Sequence, residues 1–224
     1  FVDSVKLSDD PEVVAREMRA AVGLSSEWAR RVETWREAVS ELRRAIERIG
    51  VMAVINGVVG NNTRRKLRVD EFRGFALCDP YAPLVFVNGA DAKSAQMFTL
   101  AHELAHIWLG RGGISGFEGL MPVGGAAVEV FCNKVAAEFL VPERELRSLW
   151  RKNANAFDFA ARHFKVSPVV AARRALDLQL IRREAFSSFY NEYTARERKE
   201  AVKRSGGDFY NNQNARVGER FAFE

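Results

Sequence analysis

The segment Phe98-Thr-Leu-Ala-His-Glu-Leu-Ala-His-Ile-Trp-Leu109 carries two histidines four positions apart, with a glutamate directly after the first. Residues with this spacing lie on one face of a helix, so His102 and His106 can hold one metal ion from the same side. Glu103 projects beside them, where a carboxylate can accept a proton from water. The alternative is an ordinary buried helix, but a dry imidazole pair needs partners. The segment therefore predicts a metal-binding helix with Glu103 as the general base.

A catalytic zinc site usually has three protein ligands, so a third ligand must come from elsewhere. In one common pattern it is a histidine ten residues after the first, but Gly112 occupies that position. Glu118 lies in a glycine-rich connector, which would hold a ligand loosely. Glu129 lies in the apolar segment 126–140, where a carboxylate is costly unless it meets a cation. Glu138 faces the opposite side of that helix at about 100° per residue. We therefore expect Glu129 to be the third ligand and Glu138 to cap or pair elsewhere.

Three further side chains, Asn133, Cys132 and Cys78, are considered for a role at the site. Asn133, one helical turn after Glu129, is expected to support a neighbouring ligand. Cys132 is expected to belong to the core. Cys78 has two interpretations, either a small buried filler or an inhibitory ligand whose thiolate takes the open position on the metal.

These segments resemble the ImmA/IrrE family of bacterial metallopeptidases. The likeness rests on residues 102–106, 129–133 and 136–142, and it extends to residues 57–63, 72–88 and 206–210. The resemblance implies a zincin-like fold and a Zn²⁺ ion held by His102, His106 and Glu129. It also implies that the substrate is a helix-turn-helix repressor, whose cleavage derepresses stress, mobile-element or phage-defence genes.

The rest of the chain predicts an α+β fold that is mostly helical, with a small three-stranded sheet beside the metal helix. The predicted strands are residues 51–55, 72–78 and 84–88. Because an open strand edge can pair with an extended peptide, we expect one of the last two strands to bind substrate.

The helical segments divide into two groups. Pro11 after an acidic cap predicts a helix to Val22, and a seam spaced by fours and threes predicts another from Ser25 or Ser26 to Gly50. Short helices are expected at 143–150 and on both sides of residues 165–167, and a longer one at 182–204. We divide the chain into a metallopeptidase domain, residues 1–152, and a helix-turn-helix-like subdomain, residues 153–224.

Two basic groups are candidates for contact with nucleic acid. Arg64, Arg65 and Lys66 form either a solvated loop or a phosphate-binding patch. Arg173 and Arg174 lie on the second helix of the helix-turn-helix-like pair, although many helical subdomains share that spacing. The net charge of +5 is compatible with such contact. The alternative function is therefore a nucleic-acid-binding regulator with a structural or vestigial metal site, and nucleic acid could also activate the peptidase.

The sequence leaves the donor that would stabilise an oxyanion unassigned. Its candidates are Tyr81, Tyr190, Tyr193 and His163. Two cysteines are too few for a disulfide framework and fit a reducing cytoplasm. No apolar run approaches the roughly 18 residues that cross a membrane, so no membrane association is expected.

Overall fold

The computed structural model describes residues 1–60, 62–115, 125–150 and 156–204. The helices are α1 (Pro11–Ala21), α2 (Trp35–Arg48), α3 (Lys93–Leu109), α4 (Gly125–Leu140), α5 (Glu143–Leu149), α6 (Ala156–Phe164), α7 (Pro168–Asp177) and α8 (Arg183–Arg204), with a 3-10 helix at Trp28–Arg31. The strands are β1 (Met52–Asn56), β2 (Val58–Val59), β3 (Asn62–Lys66), β4 (Gly74–Leu77), β5 (Leu84–Asn88) and β6 (Gly113–Ser115).

The main sheet has the strand order β1-β5-β4-β6. Its first pair is parallel and the other two pairs are antiparallel. The three predicted strands are confirmed, and β6 adds a short fourth strand. The predicted substrate strand is wrong, because β4 and β5 each have a neighbour on both sides. Among the described residues, the open edges of this sheet belong to β1 and β6.

The second predicted helix begins later than expected. The seam that starts at Trp28 is interrupted after the 3-10 helix, and α2 begins after Thr34. The Thr34 hydroxyl accepts a hydrogen bond from Glu37 N at 3.2 Å, and the Glu37 carboxylate accepts one from Thr34 N at 3.1 Å. The N-cap of this helix is therefore Thr34, and not Ser25 or Ser26 as the sequence predicted.

One hydrophobic cluster joins most elements, from Val5 to Leu178. Helix α3 lies at its centre, where it packs on α2, α4, β4 and β5. The predicted boundary between residues 152 and 153 lies outside the described residues. On its far side, α6 and α7 contribute to the same cluster, and Trp35 Nε1 donates a hydrogen bond to Val166 O at 3.2 Å. Among the described residues, no helix is both long and apolar enough to cross a bilayer.

Candidate metal site

Three donor groups from α3 and α4 meet in one cluster. His102 Nε2 lies 3.2 Å from Glu129 Oε2, His106 Nε2 lies 3.3 Å from Glu129 Oε1, and the two Nε2 atoms are 3.1 Å apart. Among the described residues, these three form the one group of His, Cys, Asp or Glu side chains placed to hold a metal. The predicted pairing of the two helices is therefore present.

The separations within this triad fit a tetrahedral metal ion. Zinc bonds of about 2.0–2.2 Å to nitrogen and oxygen place neighbouring ligand atoms about 3.3–3.6 Å apart. The two Nε2 atoms are 3.1 Å apart, and each lies 3.2–3.3 Å from a different oxygen of the Glu129 carboxylate, which is close to these values. Two imidazoles and one carboxylate are also a donor set typical of catalytic zinc. The triad can thus occupy three corners of a tetrahedron and leave the fourth for water or substrate.

The orientation of His106 is set by the end of its helix. Gly110 adopts a left-handed conformation with φ of 65°, so the chain turns back at the C-terminus of α3. This turn brings Arg111 O within 2.7 Å of His106 Nδ1, which donates to it. A proton fixed on Nδ1 leaves Nε2 available to a metal. His102 lies beside the Phe98 ring, and its buried Nδ1 has no hydrogen-bond partner in the described part of the chain.

The electrostatics of the triad favour a positive charge at its centre. Burial opposes protonation of His106, but hydrogen bonds with Cys132 and Glu129 prevail and raise its pKa to about 12. Burial likewise opposes ionisation of Glu129, but hydrogen bonds with His102 and His106 hold its pKa well below the usual range. Without a metal, a proton on His106 balances the carboxylate. A divalent cation would provide the same compensation.

Glu103 is fully buried on α3, close to Gly74 of β4. A Cβ atom at Gly74 would lie 3.1 Å from Glu103 Oε1, 2.7 Å from Phe86 O and 2.5 Å from the Thr99 methyl group. Only glycine fits there, so β4 can pass directly against the carboxylate. The role of Gly74 was missed in the sequence, although a glycine inside a strand often marks such a close approach.

The two cysteines contact different groups of His106. Cys78 donates to the His106 backbone carbonyl at 3.3 Å, and burial raises the pKa of its thiol. Cys78 is absent from the metal-binding group found among the described residues, so the structure favours the filler interpretation over the inhibitory ligand. Cys132 is fully buried, as predicted, and it also hydrogen-bonds to the His106 side chain. Asn133 is half-buried on α4, and its supporting role stays a prediction.

The predicted oxyanion donors lie in other surroundings. Tyr81 is 95% exposed in the turn between β4 and β5, so it does not line the buried triad. His163 Nε2 lies 2.7 Å from Glu145 Oε1, which ties α6 to α5. On α8, Tyr190 stacks with Phe186, and Tyr193 contacts Phe189.

The arginines predicted to contact nucleic acid from α7 are engaged within the protein. Arg174 is half-buried, and it pairs with Glu138 and donates to Val141 O at 3.2 Å. Arg173 pairs with Asp177 at 2.9 Å along its own helix. The two-helix spacing is thus confirmed, but the prediction that Arg174 contacts nucleic acid is wrong, because its charge is needed by a buried carboxylate. In the part of the chain that the structure describes, no ion pair engages Arg64, Arg65 or Lys66, which are exposed on β3.

The fold and the triad define an α+β protein in which two central helices present a metal-binding group. Residues 47–176 match the family described as the IrrE N-terminal-like domain, Peptidase_M78, and the chain belongs to this family. A Mycobacterium tuberculosis transcriptional regulator gives a structural match with a TM-score of 0.47 at 18% identity, over 75% of this chain and 46% of that chain. The chain thus spans less than half of that regulator. The comparison with curated proteins finds no match.

Proposed function

We propose that this chain is a zinc-dependent metalloendopeptidase that cleaves a partner protein. The observation that supports this best is the triad, in which the Nε2 atoms of His102 and His106 lie 3.1 Å apart and each lies 3.2–3.3 Å from one of the two carboxylate oxygens of Glu129. The buried carboxylate of Glu103 follows His102 directly in the chain. Membership of a peptidase family agrees with this chemistry.

Bound zinc would supply a Lewis acid that activates water and polarises the scissile carbonyl. His106 is held ready for this by its hydrogen bond to Arg111 O. Glu103 takes the proton from the attacking water and passes it to the leaving amine. The absence of a side chain at Gly74 leaves room for the carboxylate beside β4. Because β6 is an edge strand beside β4, we assign the pairing with an extended substrate to β6.

The substrate class comes from the family resemblance. We propose a helix-turn-helix transcriptional repressor, whose cleavage in the cytoplasm derepresses stress, mobile-element or phage-defence genes. In this proposal the fold around α3 is zincin-like.

A cleavage assay with the repressor encoded beside this protein tests the proposal. The zinc-loaded protein should cut the repressor, and Glu103→Gln should reduce the rate by about 10²–10⁴-fold while it keeps the metal. Glu184→Gln, at an exposed position on α8, is the matched control and should cut normally. Cleavage that persists in Glu103→Gln would exclude this site as its source.

A second candidate is a nucleic-acid-binding regulator, favoured by Arg64, Arg65 and Lys66. All three are exposed on β3 and have no salt-bridge partner among the described residues. Gel shifts with single- and double-stranded DNA, with and without zinc, separate the candidates. DNA binding that needs no zinc and is accompanied by no repressor cleavage favours the regulator. Repressor cleavage that DNA stimulates would instead make nucleic acid an activator of the peptidase.

A further inference from the structure

Residues 1–5 lie against the C-terminal end of the metal-binding helix α3. The backbone N–H of Asp3 donates a hydrogen bond to Ile107 O at 3.2 Å, and that of Ser4 donates one to Trp108 O at 2.8 Å. The last carbonyls of a helix have no partner within the helix itself. Residues 1–5 therefore supply donors to carbonyls in the last turn of α3.

Apolar side chains on both sides of Asp3 anchor this segment to the protein. The Phe1 ring stacks on the Trp108 ring, and their centroids are 4.7 Å apart. Val5 is buried in the hydrophobic core, and Val2 packs against that core. The backbone of Asp3 is therefore held in place by its neighbours before and after it.

Asp3 departs from two local rules of protein structure. Its φ is 55°, in the left-handed region that residues other than glycine rarely adopt. Its carboxylate lies beside Gly110 at the C-terminal end of α3, where the helix dipole opposes a negative charge. Residues that break local rules in a native protein are expected at functional sites. The contacts of Asp3 indicate what that function is.

The Asp3 side chain covers Gly110, the residue that ends α3. A Cβ atom at Gly110 would lie 2.5 Å from Asp3 Cβ and 2.5 Å from Asp3 Oδ1, so the aspartate occupies the space beside this glycine. The turn at Gly110 brings Arg111 O to within 2.7 Å of His106 Nδ1. A displacement of that turn would therefore move the hydrogen-bond partner of His106.

We infer that Asp3 is a positioning residue for the zinc ligand His106. Asp3 packs on the Gly110 turn, the turn places Arg111 O, and Arg111 O orients the His106 ring so that Nε2 points into the triad. This inference rests on the proposed function, since it takes the triad to be the zinc site. The contact joins residues that are far apart in the chain, so the segment around His106 does not reveal it.

The substitution Asp3→Val tests the inference, because a β-branched residue does not tolerate a φ of 55°. Gln179→Val is the matched control, since Gln179 is exposed and has a φ of 58° just after α7. Urea unfolding of the full chain should show a similar loss of stability in both variants. Only Asp3→Val should weaken zinc binding, by at least about tenfold, in competition with a chromophoric chelator.

The conservative variant Asp3→Asn should behave like the unsubstituted chain. Asparagine has nearly the same shape as aspartate and also tolerates the left-handed region. Zinc affinity should therefore be retained to within about twofold. A tenfold loss in Asp3→Asn would show that the charge of Asp3 acts on the site, and not its position on the Gly110 turn, and would contradict the inference.

A second measurement needs no metal. The chain has three histidines, so nuclear magnetic resonance of the metal-free protein can follow the His106 ring N–H that is bonded to Arg111 O. In Asp3→Val this proton should exchange with solvent at least about tenfold faster. Its exchange should be unaltered in Gln179→Val. A loss of stability alone would change both variants equally.

A milder pair of substitutions tests the same contact if Asp3→Val does not fold. Gly110→Ala places a methyl group in the space that Asp3 occupies, and it should weaken zinc binding. Asp3→Gly keeps the left-handed backbone and empties that space. The double variant should therefore bind zinc more tightly than Gly110→Ala alone, by about threefold or more. Losses that simply add would show that the two positions act independently, and this would overturn the inference.

Two further results would overturn the positioning role of Asp3. One is unchanged zinc affinity and ring exchange in Asp3→Val. The other is an equal loss of zinc affinity in Asp3→Val and Gln179→Val, which would assign the effect to stability alone. Failure of the unsubstituted chain to bind zinc or to cleave the repressor would instead refute the proposed function. The exchange of the His106 ring proton would still test the contact, because it is measured without metal.

Discussion

The two carboxylates of α4 lie in opposite surroundings. Glu129 meets two imidazoles, whose hydrogen bonds outweigh burial and lower its pKa. Glu138 meets two guanidinium groups, yet burial prevails and raises its pKa. It pairs with Arg174 and Arg19 and accepts a hydrogen bond from Glu143 N at 3.1 Å. Glutamates on the same helix thus have two roles. Glu129 belongs to the candidate metal site, and Glu138 belongs to a structural ion network.

The partners of the two carboxylates differ in whether they can lose a proton. Imidazoles can lose their protons and coordinate a metal, whereas an arginine stays charged and cannot act as a ligand. Arg19 also donates to the carbonyls of Glu138 and Phe139, at 2.5 and 3.2 Å, so it closes the C-terminus of α4. Glu138 therefore holds α1, α4 and α7 together, and this fixes the helix that presents Glu129.

The largest expected effect comes from Glu129→Gln. This change removes the charged ligand, so zinc affinity should fall by more than about 100-fold and cleavage should stop. Competition with a chromophoric chelator measures the affinity. Tight zinc binding by the variant would show that Glu129 is not a ligand.

The reciprocal change is Arg174→Met, which leaves Glu138 buried without its main partner. Loss of one member of a buried pair costs about 3–5 kcal/mol, and urea unfolding measures that loss. Zinc binding should survive in the folded fraction. The double variant Arg174→Met with Glu138→Leu should regain most of the stability, and its failure to do so would show that the network is not the cause.

A smaller effect is expected from Gly74→Ala. The new methyl group would press on Phe86 O and on the Glu103 carboxylate, at a cost of about 1–3 kcal/mol in unfolding free energy. The cleavage rate should fall by a larger factor than the zinc affinity. The reason is that the substitution displaces the Glu103 carboxylate, which accepts the proton, and leaves the metal ligands in place. Equal losses in both would mean that Gly74 acts on the fold alone.

Zinc affinity should also depend on pH. His106, with its pKa raised to about 12, carries a proton at neutral pH in the metal-free protein. Zinc must displace that proton, so affinity should rise by up to about tenfold per pH unit between pH 6 and 8. Calorimetry in buffers of different ionisation enthalpy counts the released protons. Affinity that is independent of pH would contradict a protonated triad.

The smallest effect on the fold is expected from Arg64→Glu with Arg65→Glu. Both side chains are exposed on β3, so unfolding free energy should change by less than about 0.5 kcal/mol and zinc binding should not change. Thermal unfolding monitored by circular dichroism checks this. A large loss would give these arginines a structural role like that of Arg174.

Local patterns in the sequence predicted the cluster of His102, His106 and Glu129 better than they predicted the partners of the surrounding residues. His102 and His106 share a face by helical geometry, and Glu129 could be chosen because a carboxylate in an apolar segment needs a cation. The angle between Glu129 and Glu138 also predicted that the second carboxylate pairs elsewhere, which is confirmed. Helical spacing could not show that Arg174 is that partner, because the contact joins residues 36 positions apart.

The start of α2 could also have been predicted from the sequence. Thr34 and Glu37 form a capping box that marks the true start of α2. Strand β6 is different, because three residues beginning with a glycine give too short a pattern to predict a strand. Its place depends on pairing with β4, which only the folded chain reveals.

The central claim is that the triad binds zinc, and X-ray absorption of the zinc-loaded chain tests it most directly. The account predicts one zinc per chain, with nitrogen and oxygen neighbours at about 2.0–2.2 Å. This signal should disappear in Glu129→Gln and persist in Arg174→Met. Failure to bind zinc, or a sulfur neighbour at about 2.3 Å contributed by Cys78 or Cys132, would contradict it.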